Sequence, residues 1–192
     1  MQTLIVATGN PGKVAEMQAY LYGLPVQLQL KPPEIEIEET GGTFAANARL
    51  KASQVAVALK AWAIADDSGL AVAALGGAPG LYSARYGRTD AERIARLLRE
   101  LDGQELRQAE FICALAIARP DGAIASESEG ICPGEILHAP AGSGGFGYDP
   151  IFYVPEVGLS FAEMSAAQKH AISHRGRAFA ALRDRFDWQA GE

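Results

Sequence analysis

The stretch TLIVATGNPGKVAEMQAYL, residues 3–21, has the pattern of a buried strand followed by a tight turn and a helix. Its apolar run ends at Ala7, and apolar residues recur at helical spacing from Val14 onward. Asn10 and Pro11 suit the N-cap and the first position of that helix, because asparagine caps free N–H groups and proline has none to lose. The stretch therefore predicts a strand–turn–helix unit of the kind that builds α/β folds.

The turn ATGNPGK has features of a phosphate-binding loop, but it is not a Walker loop. A Walker loop has a longer spacing between its glycines and a hydroxyl residue after its lysine. Here two residues separate Gly9 from Gly12, and Val14 follows Lys13. The N–H groups and dipole of a helix start can still bind an anion together with Lys13. An ordinary turn with a solvated lysine is the alternative, and this stretch alone favours neither.

The composition indicates a globular protein, and a polyanion that binds to it must be small. The chain has 192 residues, 48% hydrophobic content and a net charge of −6. No apolar run is long enough for a membrane span, and the N-terminus lacks the basic segment of a signal peptide. The negative charge argues against a broad nucleic-acid-binding surface, so we expect no nucleic-acid partner and no membrane partner. Cys113 and Cys132 lack metal-ligand spacing, and we interpret them as reduced thiols of a cytoplasmic protein.

The order of the remaining elements predicts an α/β fold whose mixed sheet has helices outside. The predicted elements are a strand at Val26 to Leu30, a helix after the N-cap Thr43 with an apolar face through Trp62, a short strand at Ala63 to Ala65, a helix after Thr89, a hairpin of FICALAIA and AIASESEGI around Pro120 to Gly122, and a last helix through Phe186. Between the second strand and the second helix lies an acidic connection, KPPEIEIEETGG.

Two acidic clusters are candidates for metal chemistry. Asp66 and Asp67 come directly after a predicted buried strand, where α/β proteins bind ligands and where carboxylates suit a hard cation. Adjacent carboxylates also repel each other, so they need a cation, a hydrogen-bond donor or open solvent. The alternative for this pair is a capping aspartate in a turn. For the acidic stretch EIEIEE, residues 34–39, the alternative is a solvated loop or edge strand.

Cations and glycines recur toward the C-terminus. In KHAISHRGRA, residues 169–178, Ser173 suits an N-cap that places His174 and Arg175 in the first helical turn. Positive charge there opposes the helix dipole, which makes a purely structural role less favourable, although a surface helix start tolerates it. GGFGYDP, residues 144–150, offers backbone that can approach a ligand closely, with aromatic side chains as candidates for base stacking. Alone it is merely a glycine-rich loop.

These segments together resemble the inosine triphosphate pyrophosphatase family. ATGNPGK, TFAANARLKA, ADDSGL with GGAPGLYSARY, GGFGYDPIF and SHRGRA occur in the family's order and spacing, from Thr8 to Ala178. The resemblance implies an elongated mixed β-sheet flanked by helices, with two lobes and a central nucleotide cleft, in one nucleoside-triphosphate pyrophosphatase domain over residues 1–192. Bacterial members hydrolyse dITP, ITP and XTP to the monophosphate and pyrophosphate, using Mg²⁺ and working as homodimers. Their role is to remove deaminated purines from the nucleotide pool.

The resemblance also implies a role for individual residues. Asp67 is the implied general base, and it shares Mg²⁺ with Glu38, or with Glu39 as the alternative. Lys13 and Lys51 neutralise the phosphates. The implied substrate contacts are Thr8, Gly9, Asn10, Pro11, Gly12, Lys13, Ser68, Phe146, Gly147, Tyr148, Asp149, Lys169, His174 and Arg175. Among these, His174 and Arg175 are the expected side-chain donors to the 6-oxygen of the base.

One position departs from the family pattern, and one other class of function stays open. Ala46 stands where many relatives carry glutamate, so no role is carried over to it, while Asn47 and Lys51 keep their places. A nucleotide-binding regulatory protein without turnover is the alternative function. Such a protein needs the lysines and the pocket but not the carboxylates, whose presence favours catalysis. A phosphotransferase is a weaker option because no acceptor site is recognisable.

Overall fold

A mixed β-sheet organises residues 2–188, the part of the chain that the computed structural model describes. Its strands are β1 (Gln2–Val6), β2 (Val26–Leu30), β3 (Ala63–Val72), β4 (Gln108–Ala118), β5 (Ile124–Ile136), β6 (Phe152–Val154) and β7 (Leu159–Ser160). The α-helices are α1 (Pro11–Tyr20), α2 (Phe44–Leu59), α3 (Asp90–Glu100), α4 (Ala166–Ile172) and α5 (His174–Arg185). The strand order is β2-β1-β3-β4-β5-β6-β7. β1 runs parallel to β2 and β3, whereas β6 is antiparallel to β5 and β7, so the predicted mixed α/β sheet is confirmed.

The first strand–turn–helix forms as the sequence predicts. β1 pairs with β2 from Gln2 to Val6, and α1 begins at Pro11. The side chain of Asn10 caps this helix by accepting hydrogen bonds from the backbone N–H groups of Gly12, at 2.9 Å, and Lys13, at 3.3 Å. The N–H groups expected to face an anion therefore already have an acceptor, and an anion would have to compete with Asn10 for them.

β3 is longer than the predicted strand, and this changes the position of the two aspartates. The strand was expected to end at Ala65, but it continues to Val72 and includes Asp66 and Asp67. Successive side chains of a strand point to opposite faces of the sheet, so the two carboxylates are directed away from each other. Each carboxylate has a cation on its own face of the sheet, Lys13 beside Asp66 and Lys51 beside Asp67. The strand can therefore continue through both aspartates without exposing them to solvent.

The contacts divide the chain into two compact units. Among the described residues, the first unit contains 2–67, 113–130 and 175–188. On one face of its strands, apolar side chains of α1 and α5 pack against Leu4 and Ile64. On the other face, small residues of α2 such as Ala48 and Ala52 pack against Ile5 and Ala65. The two faces of β3 in this unit are therefore covered by different helices.

The second unit contains residues 68–112 and 131–174. Three rings form the centre of its core, with centroids 4.6 Å apart for Phe111 and Phe152 and 4.8 Å apart for Phe152 and Phe161. Leu97 and Leu101 of the α3 region belong to the same buried cluster. This core supports the glycine-rich segment that precedes β6.

Most predicted element boundaries hold, and α2 ends earlier than its apolar pattern suggests. The Thr43 hydroxyl accepts a hydrogen bond of 3.1 Å from the N–H of Ala46, as expected of the N-cap. The helix ends at Leu59 because Lys60 adopts a left-handed conformation with φ 49°, which leaves Trp62 outside it. The hairpin of β4 and β5 closes through an N–H of Arg119 that donates to the carbonyl of Ala123 over 2.9 Å. Across residues 2–188, no helix combines the length and apolar character that crossing a bilayer requires.

Candidate active site

Asp67 lies on the face of β3 that α2 covers, and two side chains of that helix hold its carboxylate. Asn47 Nδ2 donates to Oδ2 over 3.0 Å, and Lys51 Nζ donates to Oδ1 over 3.1 Å. Asn47 and Lys51 are four residues apart, so they share one side of α2. Asp67 is 9% exposed. Both of its oxygens are thus fixed in place while the group keeps limited access to solvent.

Lys51 connects Asp67 to the acidic segment before α2. Its ammonium lies 2.9 Å from Oε1 of Glu39, and the residue is 6% exposed. Burial alone would lower the pKa of Lys51, but the charges of Asp66, Asp67 and Glu39 outweigh burial and raise it above its ordinary value. Lys51 is therefore a permanent cation between two carboxylates.

The structure distinguishes the two glutamates that the resemblance left open. Glu39 is brought to Lys51 and so to Asp67. Glu38 and Glu39 are both exposed, and the backbone N–H of Glu38 donates to the side chain of Gln54 over 3.3 Å. The assignment of a metal-binding role to Glu38 stays a prediction, and the geometry favours Glu39.

Asp66 lies on the opposite face of β3, toward α1 and α5, and it is fully buried. Its Oδ2 atom is 2.8 Å from Lys13 Nζ and 3.1 Å from Arg175 Nη2. The other terminal nitrogen of Arg175 contacts the carboxylate of Glu16. Burial alone would raise the pKa of Asp66, but Lys13 and Arg175 outweigh burial and hold it well below its ordinary value. A donor role of Arg175 toward a base stays a prediction, and it would require Arg175 to share or release one of these contacts.

The second unit holds the glycine-rich segment in a defined conformation. Oδ2 of Asp149 accepts a hydrogen bond of 2.9 Å from the N–H of Phe146 and lies 2.7 Å from the ammonium of Lys169. That ammonium is 4.9 Å from the centroid of the Phe146 ring. The N–H of Gly147 donates to Oδ2 of Asp90, at the start of α3, over 2.7 Å. Three of the predicted substrate-binding residues thus form one connected group.

Two further aromatic residues predicted for the nucleotide pocket pack inside the second unit. The Tyr148 hydroxyl donates to the carbonyl of Ser83 over 2.9 Å, and the residue is buried. The His174 ring stacks on Phe111, with centroids 4.6 Å apart and an angle of 11° between the planes. Tyr148 is therefore suited to fixing the segment rather than to presenting its ring. Ser68, half-buried in β3, comes directly after Asp67.

Sequence reasoning missed two residues of these clusters. Glu16 was not singled out, although it is one helical turn after Lys13, a spacing that does place the two residues on one side of α1. Asp90 was seen only as part of a helix start, and nothing in its local sequence indicates a contact with Gly147, which lies far along the chain. Contacts between distant segments are set by the tertiary fold.

The model of the Ham1 family matches residues 4–185. The chain belongs to the Ham1 family. Among curated relatives of this Ham1 chain, the dITP/XTP pyrophosphatase of Nostoc sp. is 68% identical over 179 residues, which cover 93% of this chain and 91% of the relative. That of Synechocystis sp. is 66% identical over 179 residues, covering 93% and 92% of the two chains.

Solved structures of Ham1 proteins have the same fold. A HAM1 protein from Coxiella burnetii matches with a TM-score of 0.88 at 42% identity, over 96% of this chain and 98% of the other. The Ham1 protein of Staphylococcus aureus matches with a TM-score of 0.86 at 39% identity, over 95% and 97% of the two chains. The resemblance inferred from the motifs and the predicted mixed sheet flanked by helices are both confirmed.

Proposed function

We propose that this Ham1 protein hydrolyses dITP, ITP and XTP to the nucleoside monophosphate and pyrophosphate. Its curated relatives that are 68% and 66% identical carry the name dITP/XTP pyrophosphatase. The observation that carries the proposal in the structure is the carboxylate of Asp67, held on both oxygens by Asn47 and Lys51. A protein that only bound nucleotides would not need a fixed carboxylate that can accept a proton from water.

The chemistry needs a base for the attacking water and cations for the phosphates. Water attacks the α-phosphorus, a new P–O bond forms, and the bond to the leaving pyrophosphate breaks. Asp67 accepts the proton that water loses, a contribution worth about 10² to 10⁴-fold in general base catalysis. Lys51, fixed beside Asp67, and Lys13, at the start of α1, meet the negative charge on the phosphate oxygens.

The carboxylates beside Lys51 also fit a magnesium ion. Mg²⁺ binds through one or two carboxylates and completes its shell with water and substrate phosphates. Among residues 2–188, no three His, Cys, Asp or Glu side chains are grouped to hold a metal by themselves, so the substrate would have to supply ligands. Asp67 and Glu39, which already flank one cation, would hold the ion. When bound, it supplies charge neutralisation at the phosphates and lowers the pKa of water.

We assign recognition of the base to the second unit. Phe146, Asp149 and Lys169 form the connected group described above, and glycines beside them allow close approach of a ligand to the backbone. His174 is the side-chain donor that the sequence suggests for the 6-oxygen of hypoxanthine or xanthine. We further propose that the protein works as a homodimer in the cytoplasm, where its substrates would arise.

One assay tests this function directly. Purified protein is incubated with ITP, dITP, XTP or ATP, with and without Mg²⁺, and pyrophosphate and inorganic phosphate are measured separately. We expect pyrophosphate from the first three nucleotides only in the presence of Mg²⁺, and far less from ATP. Binding of ITP without pyrophosphate release would indicate the regulatory alternative. Light scattering of the same sample measures whether the protein is a dimer.

A further inference from the structure

Asp66 lies in a buried cluster of charged groups and has no role in the proton transfer assigned to Asp67. Asp66 is fully buried, and a single oxygen, Oδ2, contacts both Lys13 and Arg175. Arg175 is 2% exposed and is held on its other side by Glu16. The four groups carry two positive and two negative charges, so the cluster is neutral as a whole. Of the four groups, Lys13 belongs to the segment ATGNPGK, which is assigned to phosphate binding.

Stability alone is a weak reason for burying such a cluster. The cost of removing ionised groups from water offsets most of their attraction, and apolar residues of similar volume often replace buried ion pairs without loss. The rest of this face is apolar, with Leu4, Val6 and Ile64 packed against α1 and α5. An apolar residue at position 66 would have extended that surface. What a carboxylate provides instead is a fixed position for the cations beside it.

Lys13 needs such an anchor because its side chain is long and partly exposed. Its side chain is 16% exposed, and a lysine held by nothing samples many rotamers that must be lost when it binds phosphate. The contact of 2.8 Å with Asp66 fixes the ammonium before the nucleotide arrives. An ammonium group has three donors, so two remain for phosphate oxygens after one is given to Asp66.

We propose that Asp66 is a positioning residue, which fixes the Lys13 ammonium for the triphosphate. Asp66 is itself held by Arg175, whose other terminal nitrogen contacts Glu16. The proposal rests on the proposed function only in that it takes Lys13 to contact the phosphates. Asp66 thereby differs from its neighbour Asp67: one carboxylate orders a cation on the α1 face of β3, and the other accepts a proton on the α2 face.

The test is a double-mutant cycle on nucleotide binding. Asp66→Asn, Lys13→Met and the double variant are titrated with a non-hydrolysable α,β-methylene analogue of ITP and, separately, with IMP. We expect Asp66→Asn to raise the Kd for the triphosphate about 10-fold, as for loss of a hydrogen bond to a charged group, and the Kd for IMP about 2-fold or less. In the Lys13→Met background, Asp66→Asn should have no further effect, because its route to the phosphates is already removed.

A purely structural role of Asp66 would give a different pattern. The two substitutions would then add, or the Kd values for the triphosphate and IMP would rise by equal factors, and either result overturns the proposal. Glu127→Gln is the matched control, since it removes an exposed ion pair with Arg49 in the same unit and should change neither Kd. If Asp66→Asn does not fold, the cycle is run with Asp66→Asn combined with Arg175→Gln, because this pair of substitutions keeps the net charge of the cluster at zero.

The binding measurements remain informative whatever the catalytic assay shows. If the wild-type protein binds the triphosphate analogue but releases no pyrophosphate from ITP, the proposed function fails while the cycle still decides the role of Asp66. If the wild type hydrolyses ITP and the cycle is additive, the positioning role fails and the proposed function stands. Steady-state kinetics of Asp66→Asn should agree with binding, with KM raised more than kcat is lowered.

Discussion

The side-chain amide of Asn47 donates to Oδ2 of Asp67 over 3.0 Å, and this contact leaves the carboxylate little rotational freedom. Lys51 holds the other oxygen from the next turn of α2. A general base must be within hydrogen-bond reach of the proton it abstracts, so a fixed carboxylate is worth more than a mobile one. In the proposed reaction, α2 therefore positions the general base through Asn47 and Lys51.

The first prediction concerns Asp67→Asn. The amide keeps the volume of the side chain but has neither its charge nor its basicity, so turnover of ITP should fall by at least about 100-fold. Binding of the triphosphate analogue should largely persist. Asp121→Asn, in the exposed turn between β4 and β5, is the control and should leave turnover unchanged. Retention of more than about a tenth of wild-type turnover by Asp67→Asn would remove Asp67 from proton transfer.

A second prediction separates the two glutamates that precede α2. Both glutamates are exposed, but the carboxylate of Glu39 lies 2.9 Å from Lys51, which also contacts Asp67. Glu39→Gln should therefore raise the Mg²⁺ concentration needed for half-maximal activity by about 10-fold, the effect expected for weakening one ligand of a metal site. Glu38→Gln should change that concentration by about 2-fold or less. The measurement is a Mg²⁺ titration of ITP hydrolysis, and a larger effect of Glu38→Gln would restore the assignment made from the resemblance.

The helix starts and the hairpin turn of this chain could be predicted from its sequence, because each depends on residues close to it in the chain. Asn10 and Pro11 begin α1, Thr43 begins α2, and the hairpin turns at residues 119–123. These predictions use capping and turn chemistry that acts within a few residues. The extent of β3 through Asp66 and Asp67 was not predicted. Two aspartates indicated the end of β3, but the strand continues because partners from other elements satisfy them on both faces.

The sequence predicted which residues belong to the candidate site, but not which of them contact each other. The motifs identify Lys13, Asp67 and Arg175, and the family match supports the resemblance on which they rest. They do not reveal that Lys13 and Arg175 meet on one oxygen of Asp66, which requires α1 and α5 to pack on the same face of the sheet. Helix-to-strand packing of this kind is set by the fold, and one sequence does not encode it in any local pattern.

A third prediction concerns the reactivity of the thiols. Cys113 is fully buried, and burial raises the pKa of its thiol to about 12. Cys132 is 1% exposed. The thiolate is the reactive form, so at about pH 8 the native protein should react with iodoacetamide very slowly at either position. Alkylation followed by mass spectrometry, in buffer and in guanidinium chloride, measures this. Rapid native labelling of Cys113 would contradict the buried position.

The same thiol predicts a pH dependence of stability. Its pKa is raised from 9.0 in the unfolded chain to about 12, so the folded protein holds this proton more tightly. Its contribution to the free energy of unfolding is therefore complete below pH 9.0 and is lost as the pH rises toward about 12. Urea unfolding across that range should show a smaller alkaline decline for Cys113→Ala than for the wild type. Equal declines would mean that other groups account for the loss.

A fourth prediction tests the contact between Asp90 and Gly147. The first turn of α3 contains the acidic residues Asp90 and Glu92, and Oδ2 of Asp90 accepts a hydrogen bond from the N–H of Gly147. Asp90→Ala should loosen the glycine-rich segment and raise KM for ITP about 5-fold, with kcat changed less than about 2-fold. Glu92→Ala is a matched control, because it removes the same charge from the same helix start without that contact. Equal values of KM for the two variants would show that the helix, rather than the segment, is affected.

The last prediction uses Arg175 to decide between two roles. The sequence predicts a donor to the 6-oxygen of the base, in which case Arg175→Ala would lower kcat/KM for ITP about 10-fold or more and affect the slow reaction of ATP much less. The structure places both terminal nitrogens on Glu16 and Asp66. If Arg175 acts through Asp66 on Lys13, it serves the phosphates, which ITP and ATP share. We therefore expect similar losses of kcat/KM for both nucleotides, about 10-fold each.

Parallel assays of pyrophosphate release from ITP and ATP measure the two losses. Arg175→Lys should recover part of both, since it keeps a positive charge beside Asp66, and Arg49→Ala, which removes an exposed partner of Glu127, is the control. Circular dichroism checks that the buried carboxylate left by Arg175→Ala has not unfolded the protein, a risk that follows from removing one member of a buried ion pair. A loss confined to ITP would return Arg175 to base recognition. Equal losses would leave base recognition to His174 and the backbone, because a residue that fixes Lys13 cannot distinguish an oxygen from an amino group on a purine.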